Sequence, residues 1–432
     1  MKSRFIADLH IHSPYSRATS PTSTLAGLAA WAGIKGVKVV ATGDFTHPGW
    51  LQDMADALEP AEPGLFRLKH EILLKSPLPD HCLKDSQTRF MLSAEVSCIY
   101  KRHGAVRKVH NLLYLPDFAS VDRVNAKLAA IGNLKSDGRP ILGLDSHDLL
   151  EILLENAPDG FLVPAHIWTP WFSLFGSRSG FNRIEDCYGD LVEHIFALET
   201  GLSSDPDMNR MISALDRFAL ISNSDSHSPA KLAREANIFS TDLSFYGIRD
   251  AIRSNHRDHF NGTIEFFPEE GKYFANGHRN CQVCLVPVEP GSQPEICPAC
   301  GKQLTIGVKQ RVMELADRVQ PYYPENAPAV FHLLSLAEIL SEILKVGAAS
   351  KKVMNAYSRL ITEFDSELDL LLLRPVDEIK LVSPLLAEAV QRMRNSQVKR
   401  QPGFDGQYGV IRIFDDHELA TSEKNRQNLF LI

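Results

Sequence analysis

Asp8-Leu9-His10-Ile11-His12 follows a short apolar run and sets three potential metal ligands at every second residue. A strand repeats every two residues, so Asp8, His10 and His12 would project to one face and Ala7, Leu9 and Ile11 to the other. Imidazole and carboxylate together suit Zn²⁺, Mn²⁺ or Fe²⁺. The same residue types recur where later apolar runs stop: Thr42-Gly43-Asp44, Glu95, His110, Asp145-Ser146-His147, Pro164-Ala165-His166, Glu199-Thr200 and Asn223-Ser224-Asp225-Ser226-His227. One His-x-His among 16 histidines carries little information, and Asp or Ser before a helix is an ordinary cap. Capping accounts equally well for His147. Acids and imidazoles gathered on one face, however, would repel one another or be stranded without a cation. The joint pattern therefore reads as a polynuclear metal site.

The runs that must carry these residues are 4–9, 37–42, 90–96, 106–115, 140–145, 160–165, 194–198 and 218–223, separated by helix-like stretches. Such alternation predicts parallel strands with crossover helices. Seven or eight of them suggest a barrel, with its chemistry at the C-terminal ends of the strands. The expected fold class is α/β.

At 432 residues, with 44% hydrophobic and 23% charged side chains, the chain is long enough for two or three globular domains. A net charge of -7 argues against a uniformly basic coat for nucleic acid but permits local basic patches. No run approaches the roughly 20 apolar residues of a membrane helix. The N-terminus meets Asp8 and His10 before a signal-like stretch could form. The expectation is a cytoplasmic protein with no membrane partner.

Cys281-x2-Cys284-x12-Cys297-x2-Cys300 has the spacing of two knuckles closing on one structural tetrahedral Zn²⁺. Cys82, Cys98 and Cys187 read as reduced thiols. Beyond residue 308 the pattern turns helical, over 308–319, 329–373 and 385–394. A Gly-rich loop, 402–409, and a last strand, 410–414, follow. The expected domains are a barrel over 1–262, a zinc module over 263–308 and a mainly helical region over 309–432.

The stretch 166–183 interleaves aromatics with arginines. Trp168, Trp171 and Phe172 could stack bases while Arg178 holds phosphate; the same loop could equally be a hydrophobic lid. Lys101 and Arg102 follow Glu95 closely and could track a phosphate backbone.

These motifs resemble the polymerase and histidinol phosphatase (PHP) superfamily of metal-dependent phosphoesterases. The resemblance implies a distorted seven-stranded β/α barrel holding two or three divalent ions, Zn, Mn or Mg. It implies that His10, His12, Glu95 and Asp225 surround one metal, and that Glu95 shares a second with His110 and His166. His227 and Asp44 would serve a further one, and Asp8, His10, His12, Glu95 and Asp225 would form the catalytic set. The chain departs from the family where Phe45 and Ala18 stand in place of common ligands, so His47 or Asp8 would have to substitute for them.

With the paired cysteines, the helical extension, the Trp168–Gly180 loop and the Gly403–Gly409 loop included, the whole chain is similar to the endonuclease Q family. That implies hydrolysis of the phosphodiester 5′ to deaminated bases (uracil, hypoxanthine, xanthine) or abasic sites, in damaged double- or single-stranded DNA. The final residues Gln427-Asn428-Leu429-Phe430-Leu431-Ile432 resemble peptides that dock on sliding clamps. The rival readings are a small-molecule phosphoesterase resembling histidinol phosphatase and a non-catalytic DNA-binding adaptor.

Overall fold

The structure, a computed structural model, describes residues 3–73, 88–289 and 294–421; Cys82 and the clamp-like segment 427–432 lie outside the described residues. Seven of the expected runs become strands β1 (Phe5–Asp8), β2 (Val39–Ala41), β3 (Arg89–Arg102), β4 (Ala105–Leu115), β5 (Phe161–Pro164), β6 (Ala197–Glu199) and β7 (Ala219–Ile221). The eighth contributes only Ile141–Leu142, which lies parallel to β3.

β1, β2 and β3 pair in parallel, as do β6 and β7. The backbone of Ile167 donates to Glu199 O at 3.1 Å, linking the end of β5 to β6. An isolated Ile11–Ser226 bridge and the bond from Leu9 N to Asn223 Oδ1 (2.8 Å) bring the end of β7 back to β1. Together these contacts close a distorted seven-stranded barrel.

The barrel is not all-parallel as expected: β3 and β4, and again β4 and β5, run antiparallel. The reason is local. His103 (φ 51°) and Gly104 (φ 74°) join Arg102 to Ala105 in a two-residue turn with both residues left-handed. That hairpin geometry reverses the chain without a crossover helix.

Alternation sorts the side chains into two apolar layers. Ala7, Leu9, Met91, Leu112, Tyr114, Val163, Ala197 and Ile221 fill the interior. Val40, Leu92, Val96, Leu113, Leu162 and Leu220 form the outer layer. It packs against amphipathic helices such as Phe118–Ala129 and Ser146–Asn156, whose buried faces include Val121, Val124, Leu149 and Leu153. Glu95 shares the parity of Met91, and His110 that of Leu112, which turns both toward the barrel axis.

The sheet continues past residue 262. β8 (Ala236–Phe239) lies antiparallel to β1, β9 (Phe260–Glu265) antiparallel to β8, and β10 (Ala329–His332) parallel to β9. The expected boundary at 262 thus falls inside β9, and after the cysteine-bearing segment and one short helix the chain adds a strand to the sheet before the remaining helices. Those helices include Leu336–Leu344, opened by a Ser335/Glu338 capping box, then Lys351–Phe364, Val376–Val382 and Pro384–Arg394. The expected helix 308–319 is shorter, Val308–Leu315.

In the Gly-rich loop, Gly403 N donates to Glu269 O at 2.7 Å and Gly409 N to Glu270 O at 2.9 Å. A Cβ on Gly409 would meet Glu269 O at 2.1 Å, so only glycine permits this approach. Among the described residues no helix is long and apolar enough to cross a membrane.

Two fully buried carboxylates face each other across β8 and β9. Glu235 and Glu265 stand one step beyond the Ala236–Ile264 pair, and both are 0% exposed. Burial, the largest influence, pushes Glu265 up to about 8, and burial with the Glu265 charge pushes Glu235 well up. The folded state therefore holds protons that the unfolded chain has released above its ordinary carboxyl range. The stabilisation is complete below about 4.5 and is lost as the pH rises through about 8. Thermal unfolding of the wild type should show Tm falling between pH 6 and 9, and Glu265→Gln should flatten that fall; an equally steep decline in the variant would refute the assignment.

Candidate metal centre

Two overlapping groups of ligand atoms form at the C-terminal end of the barrel. In the first, His10, His12, Glu95 and Asp225 each offer one atom, all within 4.8 Å of one another. The second, Glu95, His110 and His166, meets the same criterion, so Glu95 belongs to both. Its Oε1 lies 2.6 Å from His110 Nδ1 and 3.0 Å from His166 Nε2. Its Oε2 lies 3.2 Å from His12 Nε2 and 3.7 Å from His10 Nε2. Asp225 Oδ1 faces the same two imidazoles at 3.1 and 3.6 Å.

His10 Nε2, His12 Nε2 and Asp225 Oδ1 are buried and make no hydrogen bond. Buried polar atoms are rarely left so, and nitrogen and carboxylate oxygen converging on one space form the donor set a Zn²⁺, Mn²⁺ or Fe²⁺ ion takes. The residues present therefore fit divalent ions.

The electrostatics agree with that fit. Burial alone would push His10 and His12 down, but the charges of Glu199 and Asp225 on His10, and of Asp44 on His12, hold both well above the ordinary imidazole range. The surroundings of both rings thus favour positive charge, which a proton or a divalent cation supplies. At His110 burial prevails over the attraction of Glu95 and lowers the ring to about 4, leaving it neutral with a free lone pair. Glu95 is held well below the ordinary carboxylate range although buried, because the charge of Arg139 and the hydrogen bonds from His10 and His110 outweigh the cost of burial.

The outward nitrogens of the two strand-end imidazoles are also held. Glu199 Oε1 faces His10 Nδ1 at 3.1 Å, accepts from Asn223 Nδ2 at 2.8 Å, and its Oε2 accepts from His166 N at 2.8 Å. Asp44 Oδ1 faces His12 Nδ1 at 3.1 Å, while its Oδ2 accepts from Ser13 N (2.7 Å), Ser13 Oγ (2.6 Å) and Ser16 Oγ (2.8 Å). Such carboxylates fix the orientation and tautomer of a ligand imidazole.

Asp44, expected as a ligand, is thus committed to hydrogen bonds away from both groups. Asp8, expected beside His10 and His12, accepts instead from Ser224 N (3.1 Å) and Ala233 N (2.8 Å). The physical reason is that β1 ends at Asp8, so the strand alternation does not extend through His12. His227 joins neither group; its Nδ1 bonds Asp225 O at 3.0 Å and its ring lies 4.5 Å from that of His12. His47 caps the helix Pro48–Ala57. His147 pairs with Asp148 and Asp190 away from the centre.

Asp44 (φ 51°), His166 (φ 29°) and Asp225 (φ 46°) are all left-handed, a conformation non-glycine residues adopt at a cost of about 1–3 kcal/mol each. Backbone strain therefore gathers at this centre.

The expected substrate residues divide. Trp168 is 1% exposed with Nε1 bonded to Asn209 Oδ1 at 2.8 Å, so it is core and offers no stacking face. Arg178 is bonded to Gln303 Oε1 (3.2 Å) and Leu304 O (2.9 Å), which brace its loop against the cysteine-bearing module. Arg102 is bonded to Asp145 and Cys187 O. Trp171 is exposed, Phe172 packs against the His110 ring at 4.9 Å, and Lys101 is exposed near the tip of the β3–β4 hairpin.

In the second module the converging atoms come from His278, Cys281, Cys297 and Cys300. His278 Nδ1 lies 3.4 Å from Cys300 Sγ, whereas Cys284 Sγ lies 4.0 Å from Pro402 O. Of the four expected cysteines, Cys281, Cys297 and Cys300 stand in this group with His278, and Cys284 does not. The signal in the sequence was a His three residues before Cys281. Arg139, whose Nη1 lies 2.9 Å from Glu95 Oε2, was also missed.

The chain is similar over nearly its full length to the lesion-specific endonuclease PfuEndoQ from Pyrococcus furiosus, with 33% identity, a TM-score of 0.82, and coverage of 97% of this chain and 99% of that one. A structure of endonuclease Q with a 27-mer duplex substrate bearing an abasic lesion at the active site is equally similar, at 33% identity and TM-score 0.82, covering 96% and 98%. Residues 335–397 match the family model of the MJ0043 C-terminal domain. Protein MJ0043 of Methanocaldococcus jannaschii is 31% identical over 253 residues, 56% of this chain. The match spans about a third of that relative's length, 31%.

The zinc group is tested by metal content. Cys284→Ser should retain zinc near the wild-type level, while His278→Ala and Cys297→Ser should each lose most of it and lower Tm. Zinc loss in Cys284→Ser with retention in His278→Ala would restore the four-cysteine arrangement.

Proposed function

The chain belongs to the endonuclease Q family, and from that premise we propose that it is a metal-dependent DNA repair endonuclease, hydrolysing the phosphodiester 5′ to a deaminated base or an abasic site. The observation that carries the reading is Glu95, a single buried carboxylate common to two ligand groups, within a fold that matches a lesion-specific endonuclease over nearly its whole length. Two adjacent divalent ions would lower the pKa of a water from 15.7 to about 7 and neutralise charge on the attacked phosphate.

This chain's own residues do the positioning. His10, His12 and Asp225 would hold one ion, His110 and His166 the other, with Glu95 between. Glu199 and Asp44 keep two of those rings turned inward. Phe172, tilted against His110 with ring centroids 4.9 Å apart, stands beside the second group. Trp171, exposed on the same loop, is the aromatic placed to meet a base. Turning a lesion out of the duplex is cheapest where the base is mispaired or absent, which suits selection of damaged sites. A sliding clamp remains the proposed partner of Gln427–Ile432.

The deciding experiment uses end-labelled duplexes carrying one deoxyuridine, one deoxyinosine, one abasic site or no lesion, with Mg²⁺, Mn²⁺ or Zn²⁺. A nick on the 5′ side of the lesion is expected, absent from the intact duplex. Asp225→Ala should lower incision by at least about 1,000-fold (roughly 4 kcal/mol) while leaving lesion binding within a few-fold. Turnover of a small phosphate monoester with no nicking under any metal would sink the reading.

A further inference from the structure

Arg139 stands where the metal centre opens to solvent. Its side chain is 30% exposed, and its Nη1 donates to Glu95 Oε2, which is itself fully buried. The loop that delivers it is fixed. Gly138 N donates to Tyr15 O at 3.0 Å, Gly138 O accepts from Thr46 Oγ1 at 3.1 Å, and Arg139 N donates to Asp137 Oδ1 at 3.1 Å. A Cβ on Gly138 would lie 2.4 Å from both Asp44 Oδ2 and Ser16 Oγ. The backbone therefore presses against the carboxylate that orients His12, and the guanidinium has little freedom except at its tip.

The oxygen that Arg139 holds is also the one facing His12 and His10. A divalent ion in that group and the guanidinium compete for one negative charge, and like charges a few ångströms apart repel. A guanidinium released from Glu95 but kept at the mouth is well suited to an incoming phosphate. Its planar fork matches two non-bridging oxygens, and it keeps its proton at all working pH values.

We propose that Arg139 is a catalytic residue that moves from Glu95 to the non-bridging oxygens of the scissile phosphate. The proposal rests on the phosphodiesterase reading above. In the hydrolysis a water oxygen forms the new P–O bond and gives up a proton, the bond to the leaving sugar oxygen breaks, and that oxygen takes up a proton. Arg139 exchanges no proton; it neutralises charge that grows on the non-bridging oxygens as the transition state forms.

Arg139→Met and Arg139→Lys are compared with the wild type in two measurements. One is Mn²⁺ binding by titration calorimetry in the absence of DNA. The other is single-turnover incision of the abasic duplex at saturating Mn²⁺, with duplex affinity measured alongside. Arg139→Met should bind Mn²⁺ at least as tightly as the wild type, because a competing cation is gone. It should cut about 100-fold more slowly, as loss of one transition-state donor does, with duplex affinity changed by less than about threefold. Arg139→Lys should recover part of the rate. A residue that merely props Glu95 would show the opposite: looser Mn²⁺ binding in Arg139→Met, with incision restored to the wild-type rate by excess metal. That result overturns the proposal. Should the wild type nick no duplex at all, the functional reading fails on its own evidence, and looser Mn²⁺ binding in Arg139→Met would separately refute the competition at Glu95.

Discussion

Burying the charge of Glu95 is the constraint on which the rest of the centre depends. An ionised carboxylate with 1% exposure is tolerable only when positive charge or donors surround it. Here each oxygen faces its own set: His110 and His166 on one side, His10, His12 and Arg139 on the other. Those imidazoles must in turn be aimed. Glu199 and Asp44 aim two of them, and Asn223, Ser13 and Ser16 hold the aiming carboxylates. Asn223 is itself held by Asn237 Nδ2 at 2.8 Å, and Asn237 also accepts from Ser222 N at 3.0 Å. The dependency thus runs outward from one carboxylate to the bonds that join β7, β8 and β1. Closure of the barrel and geometry of the centre are one network, which explains why strained backbone persists at Asp44, His166 and Asp225.

The cysteine-bearing module reaches the centre by a different route. Arg311, on the helix that follows the module, donates to Phe175 O (2.9 Å), Phe181 O (3.1 Å) and Asn182 Oδ1 (2.6 Å). With Arg178 on Gln303 and Leu304, this fastens the C-terminal half of the loop that carries Trp171 and Phe172. The Gly-rich loop fastens the module from its far side, where Asp405 accepts from Arg279 N (2.7 Å) and Thr305 Oγ1 (2.6 Å). These bonds make the cysteine-bearing module a brace. What it braces is the aromatic loop over His110.

Much of this was legible in the chain. Every expected strand run appears, because period-two alternation and an apolar interior are local properties of sequence. Glu95 and His110 lie within such strands, and His10, His12, His166 and Asp225 lie in the segments that leave the C-terminal ends of others, so all six come together at one end of the barrel. The all-parallel expectation failed at one dipeptide: His103-Gly104 makes a hairpin whose left-handed φ values carry no hydrophobic signal. For a related reason the sequence left open whether Trp168 and Arg178 meet substrate or the protein itself. Composition shows that a loop holds aromatics and arginines, but not which of them the core and the neighbouring module consume.

What the sequence determined by itself was the chemistry available: imidazoles and carboxylates at strand ends, thiols in pairs, and the order of the elements that carry them. What only the tertiary structure decided was the role of each group. Glu199 lies 189 residues from His10 yet orients it, Asp44 orients where it was expected to ligate, and His278 rather than Cys284 faces the other cysteines. The physical reason is that ligand type and periodicity are written residue by residue. Whether a carboxylate meets a cation or an imidazole is set by differences of about an ångström between segments far apart in the chain, and those exist only once the barrel has closed.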